Sequence, residues 1–150
     1  MNDAQKQFLA HATSEAQRVN HPFPAMAAAE AALESNWGNS ELAREGNNLF
    51  GMKMHSHPNP CFGVLALPTH EYLDGNWIAC EAQWVKYPDW GSCFADRLAT
   101  LKRLASAYPH YQAALDAQDP ETFAIEVSKT WSTDPTRAAK VISIYQESKA

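Results

Sequence analysis

The segment Ala25 to Ser35, Ala-Met-Ala-Ala-Ala-Glu-Ala-Ala-Leu-Glu-Ser, constrains the fold more than any other. It is built from strong helix formers, and Pro24 before it suits the first turn of a helix. A helix so rich in alanine lets neighbouring elements approach closely, so it belongs at the centre of a helical body and largely buried. Carboxylates carried on such a helix are exceptional. Glu30 and Glu34 are the two, one turn apart.

The rest of the chain supplies partners for that helix. Phe8, Leu9, Ala12, Ala16 and Val19 recur at helical spacing over Asp3–Val19, until Asn20-His21-Pro22 stops the pattern. Asn39-Ser40 can cap a short helix through Arg44, and Gly46-Asn47-Asn48 reads as a turn. The strand-like stretch is Phe62 to Leu67, Thr69 to Leu73 and Trp77 to Tyr87, with Asp74-Gly75 as a hairpin turn. Helical periodicity returns over Cys93–Ala107 and again over His110–Ala117. Asp119-Pro120 and Asp134-Pro135 each place an Asp cap before a proline at the first helical position, launching helices over Glu121–Lys129 and Thr136–Ser148. The expected fold class is α+β and mainly helical, a single domain over residues 1–150 with a small antiparallel β-hairpin lobe flanking a cleft.

Composition removes several function classes. A chain of 150 residues fits one domain, and its 45% hydrophobic content can supply a core without disulfides or metal. Twelve Lys and Arg against seventeen Asp and Glu give a net charge of -5, with neither sign gathered into blocks. No basic footprint for phosphates is present, so no nucleic-acid partner is expected. No apolar run approaches 18 residues and the chain opens with the polar Met1-Asn2-Asp3-Ala4-Gln5-Lys6-Gln7. Neither membrane insertion nor a Sec-type signal is expected, and the chain is expected to be monomeric. Cys61, Cys80 and Cys93 form no C-x-x-C pair and read as reduced thiols, with Cys93 a weak candidate for a nucleophile. The loop with His55, Ser56, His57 and Cys61, and the pair His70-Glu71, match neither H-E-x-x-H nor the zinc-deaminase spacing. No metal and no cofactor is expected.

Glu34 is the most informative single residue. It ends the apolar helix directly before Ser35-Asn36-Trp37-Gly38, where a carboxyl would be partly desolvated, an environment suited to a general acid. By type alone it could equally be a capping or surface glutamate, and Glu30 has similar credentials.

The longer run decides between these readings. Ala31-Ala32-Leu33-Glu34-Ser35-Asn36-Trp37-Gly38-Asn39-Ser40-Glu41-Leu42-Ala43, followed by Asn47-Asn48-Leu49-Phe50-Gly51-Met52-Lys53, resembles the catalytic segment of the bacterial glucosaminidases, glycoside hydrolase family 73. That family includes flagellar-rod peptidoglycan hydrolases, autolysins and phage lysins. The resemblance continues at Thr69-His70-Glu71-Tyr72 with Asp74-Gly75, at Trp84 to Trp90 and Phe94-Ala95-Asp96, and at Trp131-Ser132-Thr133-Asp134-Pro135. It covers about Ala25 to Tyr145.

The resemblance implies a lysozyme-like fold and hydrolysis of peptidoglycan glycan strands, with Glu34 as the catalytic acid. Glycosidic cleavage needs one protonated carboxyl at the leaving oxygen and often a second carboxylate near the oxocarbenium-like centre or the attacking water. Glu71 matches the acidic position of the family's T-x-E-Y motif and is expected across the cleft from Glu34; the substrate's acetamido group is an alternative second participant. Asp74 is already explained by its turn. Trp131 stands where the family usually has a tyrosine, and an indole can stack on a sugar or donate through N–H but cannot accept as a phenol oxygen does. Trp37, Phe50, Tyr72 and Tyr87 offer flat surfaces for pyranose rings, while Asn47 and Asn48 either hold the turn or bind acetamido and hydroxyl groups.

The expected activity is therefore an endo-β-N-acetylglucosaminidase cutting the GlcNAc-β-1,4-MurNAc linkage. A muramidase or lytic transglycosylase on the same substrate, and a catalytically silent wall-binding or assembly module, are the competing readings. With no visible export signal and a substrate outside the membrane, synthesis in the cytoplasm and release by a phage lysis system is the expected setting, with delivery by a secretion apparatus as the alternative.

Overall fold

The computed structural model describes residues 1–55 and 59–150, with the side chain of Glu71 outside the description. Helix α1 (Asp3–Arg18) opens on a reciprocal cap: the Asn2 side chain accepts from Gln5 N–H, and the Gln5 side chain accepts from Asn2 N–H. Helix α2 (Pro24–Glu34) buries every residue from Met26 to Ala32. Its alanines face two clusters at once. Ala27, Ala28, Ala31 and Ala32 pack with Phe8, Leu9, Ala12, Leu49, Phe50 and Phe94, whereas Met26 and Ala29 pack with Leu101, Tyr111, Phe123, Val127 and Val141. Only a helix of small side chains can be shared so closely by both sides.

A tight left-handed turn follows α2. Asn36, Trp37 and Gly38 have φ of 50°, 58° and 78°, a region that non-glycine residues seldom visit. Ser35 holds it: its hydroxyl donates to Ala31 O at 2.6 Å and accepts Gly38 N–H at 2.9 Å, while Trp37 N–H donates to Ala32 O at 2.8 Å. A Cβ on Gly38 would lie 3.1 Å from the Phe8 ring, so the close approach also favours glycine there. The short helix α3 (Glu41–Gly46) begins under the Ser40 cap.

Strands β1 (Gly63–Leu73) and β2 (Asn76–Lys86) form an antiparallel hairpin, with Asp74 and Gly75 turning at φ 51° and 81°. A one-residue bridge between Lys53 and Trp84 adds a third short stretch at its base. β1 runs straight through Pro68, where the sequence pattern suggested two separate strands. A two-stranded sheet leaves an unpaired edge on each strand, and proline costs no ladder bond on that edge. Leu65, Leu67 and Thr69 with their partners Trp84, Ala82 and Cys80 are half-buried, while the tip is exposed.

The remaining helices are α4 (Trp90–Leu104), α5 (Pro109–Leu115), α6 (Pro120–Trp131) and α7 (Arg137–Ser148). α4 starts three residues before the apolar periodicity, because Asp89 accepts Ser92 N–H at 2.7 Å and caps it there. Asp119 caps α6 as expected, accepting Thr122 N–H at 2.7 Å. Asp134 does not cap α7. Its Oδ1 accepts from Thr136 N–H and Thr136 Oγ1, and its Oδ2 accepts from Lys140, forming a local turn that delays the helix to Arg137. The delay puts Arg137 at the first helical position. The expected α+β, mainly helical class with a hairpin lobe is what the chain adopts.

Candidate active site

The two glutamates of α2 have opposite surroundings. Glu30 is fully buried, and Arg97 of α4 donates to it through both terminal nitrogens, Nη1 to Oε1 at 2.8 Å and Nη2 to Oε2 at 2.6 Å. Arg137 adds a third bond, from Nη2 to Oε2 at 2.9 Å. Burial alone would raise the Glu30 pKa, but the two guanidinium charges and their hydrogen bonds outweigh it and hold the carboxyl down to about 2.

Glu34 lies one turn further, at the exposed end of the helix, with its side chain 25% accessible. It is less desolvated than the apolar sequence around it suggests, because α2 emerges from the core at its last turn. Arg137 Nε donates to its Oε1 at 2.8 Å. Among the described residues no hydrogen bond reaches Oε2. Arg137 itself is 1% exposed and spends its last nitrogen, Nη1, on Ser128 Oγ at 2.8 Å. One guanidinium therefore spans the buried and the exposed carboxylate.

Trp131 belongs to the same assembly. The Arg97 guanidinium lies 4.6 Å from the Trp131 ring centroid and 4.6 Å from that of Phe50. The indole thus lies against a cation inside the body, a contact that uses its π face and needs no phenol oxygen. Residue type alone could not show this, since Arg97 and Trp131 lie on different helices, α4 and α6.

The remaining expected site residues divide by exposure. Trp37 is half-buried, edge-on to Phe8 with centroids 6.1 Å apart, and lines a groove of about 520 Å³ with Leu33, Thr136, Lys140 and Ile144. A second groove of about 620 Å³, lined by Ser128, Thr130, Ser132, Thr133 and Asp134, borders the other side of the same 132–136 loop. Tyr72 is 60% exposed at the hairpin tip, with its ring 5.4 Å from that of Trp77, an exposed aromatic not anticipated from sequence. Glu71 pairs with Ile78 in the hairpin, and its side chain lies outside the described residues.

Of four further expected contacts, Asn48, Phe50 and Tyr87 are buried and Asn47 is half-buried. Asn48 is 1% exposed; its Nδ2 donates to Met52 O and Val85 O, and its Oδ1 accepts Met52 N–H. Its whole amide is consumed in joining the turn to the hairpin base. Asn47 caps α3 in the left-handed conformation and donates to Tyr87 O at 3.0 Å. Phe50 is buried against Phe94 and Arg97. Tyr87 is buried, donates its hydroxyl to Asp96, and meets Phe62 edge-on, so it presents no face to a sugar. Burial, with the Cys93 and Asp96 neighbours, pushes its phenol pKa far up.

Cys93 is also buried, and desolvation pushes its thiol up to about 12, the opposite of what a nucleophile requires. His57 and Ser56 of the histidine loop lie outside the described residues. Among the described residues no cluster of three or more His, Cys, Asp or Glu side chains is arranged to hold a metal ion, and no helix is long and apolar enough to cross a membrane.

Comparison with known proteins fits this arrangement. The family model for glucosaminidases, described as mannosyl-glycoprotein endo-beta-N-acetylglucosaminidase, matches residues 9–150. The chain belongs to the glucosaminidase family. The exo-glucosaminidase LytG of Bacillus subtilis is 29% identical over 97% of this chain and 52% of its own length. The peptidoglycan hydrolase FlgJ of Salmonella typhimurium is 33% identical over 81% of this chain and 38% of its own. A probable N-acetylmuramidase of Lactococcus lactis is 29% identical over 85% of this chain and 30% of its own. The chain thus spans about half or less of these relatives. Among solved structures, the catalytic domain of the autolysin Auto from Listeria monocytogenes superposes with a TM-score of 0.82 at 26% identity, covering 99% of this chain and 86% of that one. A glycoside hydrolase domain of Salmonella typhimurium FlgJ gives 0.75 at 28% identity, covering 97% of each chain.

Proposed function

We propose that this glucosaminidase-family chain is a peptidoglycan hydrolase, an endo-β-N-acetylglucosaminidase acting on the GlcNAc-β-1,4-MurNAc linkage. The observation that carries the reading is the placement of Glu34: a carboxyl at the exposed end of a buried helix, one oxygen fixed by Arg137 and the other without a partner among the described residues. In this reading the protonated Glu34 donates to the leaving glycosidic oxygen as the sugar takes on oxocarbenium character. Glu71, on the hairpin, serves as the second carboxylate, and a carboxyl separation of about 5–5.5 Å would give retention where about 6.5–9.5 Å would give inversion. Of the expected site aromatics, Trp37 and Trp131 are half-buried and Tyr72 is exposed, so these three keep surface for sugar rings, and Thr130, Ser132 and Thr133 of the 620 Å³ groove supply partners for sugar hydroxyls.

The relatives' names divide over which bond is cut, since one is called an exo-glucosaminidase and another a probable N-acetylmuramidase. Reducing-end chemistry separates these activities. Purified peptidoglycan is digested with the wild type and with Glu34→Gln, reduced with borohydride, and the new ends are identified by mass spectrometry. Reduced GlcNAc ends that fall by about 100-fold or more in the variant are expected, the usual scale for loss of a general acid. Reduced MurNAc or anhydro-MurNAc ends would move the activity to a muramidase or transglycosylase, and intact strands with folded wild type would leave a wall-binding module.

A further inference from the structure

The buried charges beneath Glu34 make a continuous assembly. Phe50 and Trp131 both pack against Arg97, Arg97 grips both oxygens of Glu30, and Arg137 bonds Glu30, Ser128 and Glu34 with its three nitrogens. Two guanidinium groups meet one fully buried carboxylate, and Arg137 turns its remaining Nε–H to the second, more exposed carboxyl of Glu34. A charge with no freedom to reorient is costly to bury unless each of its donors is satisfied in fixed directions. Each nitrogen of Arg137 has a partner, and the direction of its Nε–H then dictates where Glu34 Oε1 can sit.

We propose that Arg137 is the positioning residue of Glu34: anchored on Glu30 and Ser128, its Nε–H fixes Oε1 and thereby aims the free Oε2 at the glycosidic oxygen. This rests on the reading of Glu34 as the acid. The anchor is rigid because Glu30 is itself clamped by Arg97, whose guanidinium packs against the mutually perpendicular rings of Phe50 and Trp131. Trp131 acts at one remove, by keeping Arg97 in place. The requirement is geometric as well as electrostatic. A lysine at position 137 would keep the positive charge, yet a single ammonium cannot reproduce three bonds in one plane.

Kinetics on solubilised peptidoglycan test the proposal with four variants: Glu34→Gln, Arg137→Lys, the double variant, and Ser128→Ala. Arg137→Lys is expected to lower kcat about 100-fold while KM changes less than about threefold, the signature of misplaced chemistry with binding retained. In the Glu34→Gln background the same substitution is expected to leave the residual rate unchanged, because its target is gone. A wild-type kcat for Arg137→Lys, or an equal loss in both backgrounds, overturns the positioning role while leaving Glu34 as the acid. A wild-type kcat for Glu34→Gln overturns the acid assignment and the role of Arg137 with it. Should Arg137→Lys melt below the assay temperature, Ser128→Ala decides, since it removes one anchor and spares both ion pairs. It is expected to lower kcat about fivefold at constant KM, as for one lost hydrogen bond, and an unchanged kcat overturns the proposal.

Discussion

Two successive turns of α2 carry the same residue type, touch the same arginine and end in different chemistry. The turn bearing Glu30 is sealed inside the body, where three hydrogen bonds from two guanidinium groups hold the carboxylate ionised. The turn bearing Glu34 emerges at the surface, where Arg137 engages a single oxygen. A buried carboxylate of this kind is structural because nothing can reach it; an exposed one of this kind can still exchange its partner for a substrate. What separates them is the number of donors around each, together with the point at which the helix leaves the core.

The sharpest way to break this comparison is to remove the buried carboxylate. Glu30→Ala leaves Arg97 and Arg137 confined without their shared counter-ion, and Arg97 Nε already lacks a partner among the described residues. Breaking a buried pair from one side costs about 3–5 kcal/mol, a large part of an ordinary domain's stability. The matching substitution Glu34→Gln keeps an acceptor for Arg137 Nε and is expected to change stability by less than about 1 kcal/mol. Urea unfolding of the two variants measures the contrast. Equal destabilisation would mean that the two turns are not energetically distinct.

His21 extends the comparison to pH. It is 5% exposed, its Nδ1 accepts Phe23 N–H at 3.0 Å, and Nε2 has no partner among the described residues. Burial, reinforced by the Arg97 charge, lowers its pKa from 6.5 to about 4. A histidine lowered in this way is neutral in the fold and protonated in the unfolded chain between those values. The stability it contributes is full above pH 6.5 and is lost as pH falls through about 4, reaching on the order of 3 kcal/mol across the window. Glu30 acts in the same direction at lower pH, its contribution present above the ordinary carboxylate range and lost as pH falls through about 2. Urea midpoints measured from pH 7 to pH 4 should fall steadily, and His21→Phe should flatten that slope. A slope unchanged in the variant would remove His21 from the account.

The parts of the molecule legible in sequence were those written in local pattern. The central alanine helix, the capped starts at Ser40 and Asp119, and the Asp74-Gly75 hairpin turn follow from composition and spacing. Glu34 was legible through the run around it, as its flanking residues carry the family resemblance. The charge assembly was not, because Glu30, Arg97 and Arg137 lie far apart in the chain and no local pattern joins them. Asp134 shows how a local rule can mislead. Asp before Pro suits a helix cap, yet here the same side chain closes a turn with Thr136 and Lys140, and the cap position passes to Thr136, with Arg137 at the first helical position. Aromatic type also says little about exposure, so Tyr72 and Tyr87 looked equivalent until the fold separated them.

Asn48 measures how firmly the body holds the hairpin base. Its amide satisfies Met52 N–H and the carbonyls of Met52 and Val85, all at 2.8–2.9 Å inside the protein. Asn48→Ala strands these groups and is expected to cost about 2 kcal/mol. Amide hydrogen exchange should show the loss concentrated at Val85 and Met52, the residues that tie β2 to the turn. Exchange that rises uniformly over the helices would instead make Asn48 part of the global core.

The smallest effect is expected at the hairpin tip. Tyr72 and Trp77 are 60% and 72% exposed and touch chiefly one another, at a centroid distance of 5.4 Å. Little area is removed from water there, so Tyr72→Ala should alter thermal stability by less than about 0.5 kcal/mol. Tyr87→Ala, by contrast, opens a cavity beside Phe62 and removes the hydroxyl from Asp96, and should cost about 3 kcal/mol or more. Comparing the melting temperatures of the two variants therefore tests whether lobe and body differ in kind. If Tyr72→Ala proved as destabilising as Tyr87→Ala, the tip would have to be packed against the body, and the hairpin could no longer be treated as an arm anchored only at its base.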